Sequence, residues 1–404
     1  MRRAEIRFRD GGYLMDTFGA YPQSVVIVGA SHAGVAAATE LRNAGYESEI
    51  ILVGEEEGMP YHRPHLSKDC LAGEMPAPKP IRPESFYDER MITLRLGTCV
   101  TGIDRRAKTL FLAEGGRLSY GVLILATGAS ARSLPAVLQG AERAAILRDK
   151  SDWEALSNAL LDKASLAVIG GGLIGLEVAA AARERGLSVT VVEAAPRLMM
   201  RTLYPEIAAY VLGEHRHKGI DIRLGVTVAG VTEQGLTLGD GSKVDADLVL
   251  SSVGSEPRTD LATAAGLPCS NGVDTDACGR TADPSIFAIG DCAHWDHQGA
   301  STRHESVAAT QFQARAIAAA LTGKSAPVQI PFRLWSFQGK LRLQMSGQVL
   351  PDAETRIEQL EENSFLLRAF QDGNLIAIQA LNAPRSFIAA IGELESGLTD
   401  RMTA

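Results

Sequence analysis

The chain is poor in cysteine and has no cysteine pair. Its five cysteines, Cys70, Cys99, Cys269, Cys278 and Cys292, are scattered, and no C-x-x-C occurs. That excludes a disulfide framework, a dithiol redox motif and cysteine-based metal spacing. An odd, dispersed set fits a reducing cytoplasm, where thiols pack as small apolar residues. Positive charge is also short: the formal net charge is −8, which argues against a nucleic-acid partner. No low-complexity segment is present. The N-terminus, MRRAEIRFRDGGYLMDTFGA, lacks the apolar centre of a secretory signal and reads as a tail over 1–20, with Met15 as an alternative start to residues 1–14. One apolar run, LAVIGGGLIGLEVAAAA (166–182), approaches the length of a membrane span. Three consecutive glycines and a glutamate break it, so a strand, a glycine turn and a buried helix describe it better, and no membrane attachment is expected.

What is present is the same unit twice. SVVIVGASHAGVAAATELRNAG begins at residue 24 and SLAVIGGGLIGLEVAAAARERG at 165, an offset of 165 − 24 = 141 residues. Each has a short β-branched run, a glycine-rich turn, a small-residue helix and a glycine stop, followed by another apolar strand. Each therefore reads as a β-α-β unit with a phosphate-binding turn. The strands YGVLILATGAS and ADLVLSSVGSE match in position further on, each after a glycine-rich hairpin. One G-x-G-x-x-G is weak evidence; two copies with downstream acids are strong.

The turns have a physical reading. Gly170 permits a sharp turn, Gly172 lets a pyrophosphate approach the backbone, and Gly175 lets helix pack closely on strand. In the first copy Gly29 and Gly34 remain, while Ser31 stands at the middle position. Glu55 and Glu193 end the second strands and are placed to accept from ribose hydroxyls. Glu193 would repel a 2′-phosphate and so favours NADH over NADPH; Arg197, four residues on, could offset that. Beyond the second unit, SIFAIG delivers Asp291 at its C-terminal end, a carboxylate suited to a flavin ribityl chain. A helix follows, expected from about Glu305 and ending in a glycine stop.

The remaining polar features are read as ordinary surface. His294 and His297, three apart in HWDH, lack a third ligand and are expected in a surface loop, with no metal bound. HRH (215–217) is expected to face solvent on a charged helix. Phe86 and Tyr87 are expected in a helix core. His32 and His62 lie in turns expected to hold a nucleotide.

Taken in order, VVIVGASHAG, YHRPHLSK, LILATGA, VIGGGLIGLE, VTVVEAAPR and IFAIGDCA resemble the pyridine-nucleotide-disulfide reductase superfamily. YHRPHLSK, RHESV and WSFQGKLRLQMSG narrow the resemblance to the NADH-dependent, putidaredoxin-reductase-like ferredoxin reductases that serve bacterial monooxygenases and ring-hydroxylating dioxygenases. The resemblance covers about residues 23–400. It implies an α/β, glutathione-reductase-like fold: an FAD domain over 21–148 and 275–325, an inserted NADH domain over 149–274, and a C-terminal α+β domain over 326–404. It implies a cytoplasmic flavoenzyme that takes hydride from NADH onto FAD N5 and passes electrons singly to a 2Fe–2S ferredoxin, as a monomer or weak homodimer.

The resemblance also assigns residues. Gly29, Ala30, Ser31, His32, Ala33 and Gly34 fall on the FAD pyrophosphate turn, with Glu55 as its ribose acid. Arg63 and Lys68 lie along the flavin, Lys68 near N5. Val100, Ala126, Thr127, Gly128, Arg132, Asp291, Ser306, Val307 and Trp335 complete the FAD set. Gly170, Gly172, Leu173, Ile174, Gly175, Glu177, Glu193 and Gly254 form the NAD set, with Glu177 toward the nicotinamide. Lys68 and Glu177 are the catalytic candidates, since their counterparts in related enzymes pair across the site. The acidic ferredoxin would meet a basic face, with Arg303, Arg333, Lys340 and Arg342 as candidates. Lys68 stands where thiol-based relatives place sulfur, so Cys70 is expected to be a packed thiol. The sequence departs from the family at His65, His304, Phe337 and Gly339, the last two where flavin and partner are expected to meet the C-terminal domain. Other readings are a rubredoxin reductase, a thiol or peroxide reductase acting through Cys70, and an NADH-sensing flavoprotein like apoptosis-inducing factor.

Overall fold

A computed structural model describes residues 24–297, 300–327 and 331–403. The expected N-terminal tail, with its alternative start at Met15, lies outside the described residues.

The duplication is visible as two parallel sheets. The first runs in the order Ile286–Ala288, Val122–Leu125, Ser24–Val28, Glu49–Val53, Ile92–Arg95. The second runs Asp221–Leu224, Ser188–Glu193, Ser165–Ile169, Leu248–Ser251. The central strands are continuous Val, Ile, Leu and Ala runs because both sheet faces are covered. Val25, Val26, Ile27, Ala167 and Val168 have no exposure. The strand Ile286–Ala288 returns to the first sheet after the whole second unit, so the second unit is inserted in the first.

In each unit the first strand passes through a glycine turn into a helix, His32–Asn43 or Leu173–Glu184. Gly29 and Gly170 have φ of +118° and +108°, a region that costs a Cβ-bearing residue strain. A Cβ on Gly29 would sit 2.1 Å from the Ala126 carbonyl oxygen, and one on Gly170 2.3 Å from that of Ser252. Thus each turn is pressed against the end of its unit's neighbouring strand. Just past those strand ends, Ala129–Ala131 and Ser255–Pro257 pair with each other and tie the two units together.

The C-terminal part is an antiparallel sheet ordered Arg333–Gln338, Leu341–Gly347, Asn374–Leu381, Ser364–Gln371, Glu354–Glu361. The helix Pro384–Thr403 covers one face through Phe387, Ala390, Ile391 and Leu394. The other face, with Leu343, Met345 and Leu381, shares one core with Leu66 and Leu71 of the first unit and with Val178, Ile207 and Val211 of the second. That shared core brings all three parts together around residues 61–71. No helix among the described residues is long and apolar enough to cross a membrane.

Candidate active site between the two glycine turns

Both glycine turns open into one cleft of about 2510 Å³, well above the roughly 1,000 Å³ of a large single-ligand site. Its walls include Gly29, Ala30, Ser31, His32, Ala33, Glu55, Arg63, Lys68, Val100, Ala126, Thr127, Gly128, Arg132, Asp291, Ser306, Val307 and Trp335. Gly170, Gly172, Leu173, Ile174, Glu177, Glu193 and Gly254 line it from the second unit. Gly34 and Gly175 lie behind the turns instead. A Cβ on either would come within 2.0 and 2.3 Å of the Gly29 and Gly170 carbonyl oxygens, so they set helix against strand rather than meet a ligand.

The two helix starts fit dinucleotide phosphates. Neither helix has a side-chain cap, so its first amides are uncommitted. Nothing lies within 4 Å of a Cβ built on Gly172, which leaves room for close approach. Ser31, the departure from glycine, accepts from Arg63 Nε at 3.0 Å, so its hydroxyl is turned to the guanidinium.

Each acidic residue is held. Glu193 accepts from Gly171 N at 2.6 Å and Ala195 N at 2.7 Å. Glu55 meets Arg258 at 3.1 Å. Asp291 meets Arg148 at 2.8 Å, and the Arg148 carbonyl in turn accepts from Arg63 at 3.0 Å. Arg148 carries no motif in the sequence. Arg197 donates to the carbonyls of Leu203 and Met200, at 2.6 and 3.0 Å, and so is occupied by its own loop.

Lys68 Nζ lies 2.7 Å from Glu177 Oε2, with both side chains nearly buried. Lys68 follows a 3₁₀ turn, Arg63–His65, set by Pro64; Glu177 sits one turn into its helix. Lys68 also donates to the Pro64 carbonyl at 3.2 Å. Ser67 donates to Glu177 Oε2, and Ser336 donates to its Oε1 at 2.6 Å. Removing two unpaired charges from water would be costly; here each carries an opposite charge and further hydrogen bonds.

Three histidines gather beside the first turn. His32 Nε2 and His62 Nδ1 are 3.3 Å apart, and the His62 and His65 rings stack at 5.2 Å. Burial, reinforced by His62, lowers His32 to about 4; burial also lowers His62. Among the described residues no group of three or more potential ligands is arranged to hold a metal.

Several expectations require correction. His215 does not face solvent. It is fully buried and lies 2.7 Å from Gln338 Oε1, because residues 207, 211 and 215 share one helix stripe that packs on the C-terminal sheet. The His294 segment is not a loop but a strand, Ala293–His297, and His294 Nδ1 lies 2.9 Å from Asp274; the His297 side chain lies outside the described residues. The helix after Asp291 starts at Val307, capped by the Ser306 hydroxyl, two residues beyond the expected start at Glu305. Phe337 and Gly339 do not line the cleft. Gly339, with φ +61°, abuts Glu184 and Lys218 of the second unit, where a Cβ would come within 2.4 Å of Glu184 Oε1. Phe86 is only partly buried, whereas Tyr87 beside it is fully so.

The His304 ring packs edge-on against Phe332 at 4.6 Å. His65 Nδ1 is buried without a hydrogen-bond partner. Arg303 is a largely buried wall of the cleft paired with Glu305. Arg333 pairs with Glu395 at 3.1 Å, and Arg342 lies over the Phe337 ring at 4.2 Å. Lys340 is exposed. Cys70 is buried in the shared core and does not line the cleft. Burial, and secondarily Asp69, pushes its thiol up to about 11, opposite to what a reactive thiolate needs.

This arrangement has known counterparts. Residues 23–314 match the pyridine nucleotide-disulphide oxidoreductase family, and residues 333–402 match the reductase C-terminal family. The chain belongs to the pyridine nucleotide-disulphide oxidoreductases. It is an oxidoreductase of a family that uses FAD and NAD(H). The ferredoxin–NAD(+) reductase component of the p-cumate 2,3-dioxygenase system of Pseudomonas putida is 38% identical over 91% of this chain and 92% of its own. A rubredoxin–NAD(+) reductase of Pseudomonas putida is also 38% identical, over 90% of this chain and 96% of its own. The covalent putidaredoxin reductase–putidaredoxin complex contains a chain of TM-score 0.87 and 35% identity, with 93% of this chain and 94% of that one aligned.

Proposed function

We propose that this protein is an NADH:ferredoxin oxidoreductase with FAD, supplying single electrons to a 2Fe–2S ferredoxin of an oxygenase system. The observation that carries the reading is the Lys68–Glu177 pair in a cleft bounded by two glycine turns, with Cys70 packed away from it. On this reading FAD lies along the first turn and NADH along the second. The domain limits would be 21–148 with 275–325 for FAD, 149–274 for NADH and 326–404 for the C-terminal part. Bound FAD would supply acceptance of a hydride from NADH and release of electrons one at a time.

The chain's own residues do the rest. The amides at the starts of helices His32–Asn43 and Leu173–Glu184 bind the pyrophosphates, and Glu55 and Glu193 orient the riboses. Asp291, steadied by Arg148, accepts from the ribityl chain. Lys68 would offer positive charge to a flavin held in the cleft, and Glu177 would fix Lys68 for that role. Trp335, which lines the cleft, would stand at the flavin side. No dithiol is needed, because an iron–sulfur protein takes one electron and a dithiol works in pairs.

The docking face for the ferredoxin would draw on Lys340, Arg342 and Arg333, which are exposed; Arg303 is a weaker candidate, since Glu305 already meets it inside the cleft. The protein would work in the cytoplasm as a monomer or weak homodimer. A second reading is a rubredoxin reductase, favoured by the equal identity of that relative. Steady-state NADH-dependent reduction of a 2Fe–2S ferredoxin, run beside rubredoxin, separates them. The higher kcat/KM should belong to the ferredoxin, and a preference for rubredoxin would replace this reading with the second.

A further inference from the structure

Glu177 is the end of a buried chain of hydrogen bonds that runs from the second unit through the C-terminal sheet and back. Ser336 Oγ lies 2.6 Å from Glu177 Oε1, and Gln338 Nε2 lies 3.1 Å from Ser336 Oγ. Gln338 Oε1 lies 2.7 Å from His215 Nε2. Ser336, Gln338 and His215 have no exposure, and Glu177 has 3%. Ser336 and Gln338 come from alternate positions of the strand Arg333–Gln338, so both side chains leave its inner face. His215 comes from the helix Pro205–His217 and Glu177 from Leu173–Glu184.

The chain has one direction, set by its charged end. A carboxylate accepts only, so Ser336 must donate its proton to Glu177. Ser336 Oγ then accepts, so the amide nitrogen of Gln338 must face it. The second hydrogen of that nitrogen meets Met199 Sδ at 3.6 Å. Gln338 Oε1 therefore faces His215 and needs a donor there, which requires the proton on Nε2. His215 Nδ1 is left bare and has no partner. A neutral ring is consistent with its burial, which lowers its proton affinity.

We propose that Ser336, Gln338 and His215 are positioning residues that form a one-way donor chain seating Glu177 on Lys68. The chain fills Glu177 Oε1 from the C-terminal sheet, while Lys68 and Ser67 fill Oε2 from the first unit. The C-terminal sheet thereby adds to the hold that Pro64 and Ser67 already give the Lys68–Glu177 pair at the cleft wall. This rests on the role given to Lys68 under the proposed function.

The test uses the holoprotein. Histidine ¹⁵N NMR, with the His215 signal identified by its loss in His215→Gln, should show Nε2 protonated and Nδ1 bare from pH 8 to pH 6. Ser336→Ala should slow NADH-driven flavin reduction ~10-fold, the worth of one hydrogen bond to a charged group, with NADH affinity unchanged. Its flavin midpoint potential should move negative, and Ser336→Thr should restore both readouts. A proton on Nδ1, or a Ser336→Ala variant with rate and potential unchanged, overturns the proposal. Failure of the wild-type protein to reduce any ferredoxin would instead sink the proposed function; the tautomer and potential would still decide this one.

Discussion

Lys68 and Glu177 approach to 2.7 Å although they come from different copies of the duplicated unit. The contact forms because residues 61–71 leave the first unit and pack into the core of the second. Removing one partner would leave a buried charge without a counterion, at a cost of about 3–5 kcal/mol in folding stability. Lys68→Met and Glu177→Gln should each lower stability by that order and slow NADH-driven flavin reduction roughly 10²-fold. The Lys68→Met, Glu177→Gln double variant should be less destabilised than the sum of the two single changes. Urea unfolding of the four proteins checks this, and strict additivity would mean that the two side chains do not depend on each other.

Glu193 sets the coenzyme preference in this account, and Arg197 cannot relieve it because its guanidinium is held by Leu203 and Met200. The wild-type protein should prefer NADH strongly, since like charges held close cost several kcal/mol. Glu193→Ser should raise kcat/KM for NADPH roughly tenfold or more. Stopped-flow flavin bleaching with each coenzyme measures it. Equal reduction of the wild-type protein by NADH and NADPH would contradict the assignment.

His32 links stability to pH. Its value in the folded protein, about 4, lies below the ordinary 6.5. Between those values the unfolded chain takes up a proton that the folded protein does not, so stability is full above pH 6.5 and falls as pH drops toward 4. The shift corresponds to at most roughly 3 kcal/mol, and His62 and His215 act in the same direction. A bound pyrophosphate would favour protonated His32 and shrink the loss. Unfolding curves of the apoprotein and holoprotein from pH 7 to pH 4.5 should show the smaller slope in the holoprotein. His32→Gln should flatten the apoprotein profile; an unchanged slope would remove His32 from the explanation.

Gly339 marks a contact rather than a flavin site. Its φ of +61° strains any residue that carries a Cβ, and a Cβ there would also push aside the ends of the Glu184 and Lys218 side chains. Gly339→Ala should lower stability by about 1–3 kcal/mol and leave the NADH KM unchanged. A raised KM with unaltered stability would return this position to the active site.

The duplicated glycine turns were legible because their chemistry is local: a turn that needs positive φ, a helix start that needs small residues, an acid at a strand end. The same locality made Asp291 visible, whereas Lys68 stood out only through the family resemblance of YHRPHLSK. The contacts between parts were not legible. A strand period of two gives the face on which Ser336 and Gln338 lie, but not that Glu177 and His215 stand opposite. His215 had a usable signal, its helical spacing from the buried Ile207 and Val211, which the charged neighbours Arg216 and His217 masked. Arg148 had none, since its role follows only from where the strand Ile286–Ala288 and the turn after it set Asp291.

The central claim is that electrons leave from the flavin and that no thiol carries them. It is tested most directly by anaerobic stopped-flow mixing of the Cys70→Ser holoprotein with NADH and excess 2Fe–2S ferredoxin. The account predicts flavin bleaching and ferredoxin reduction at the wild-type rates, with two ferredoxins reduced per NADH. Intact flavin bleaching with loss of ferredoxin reduction would contradict it and return Cys70 to the electron path.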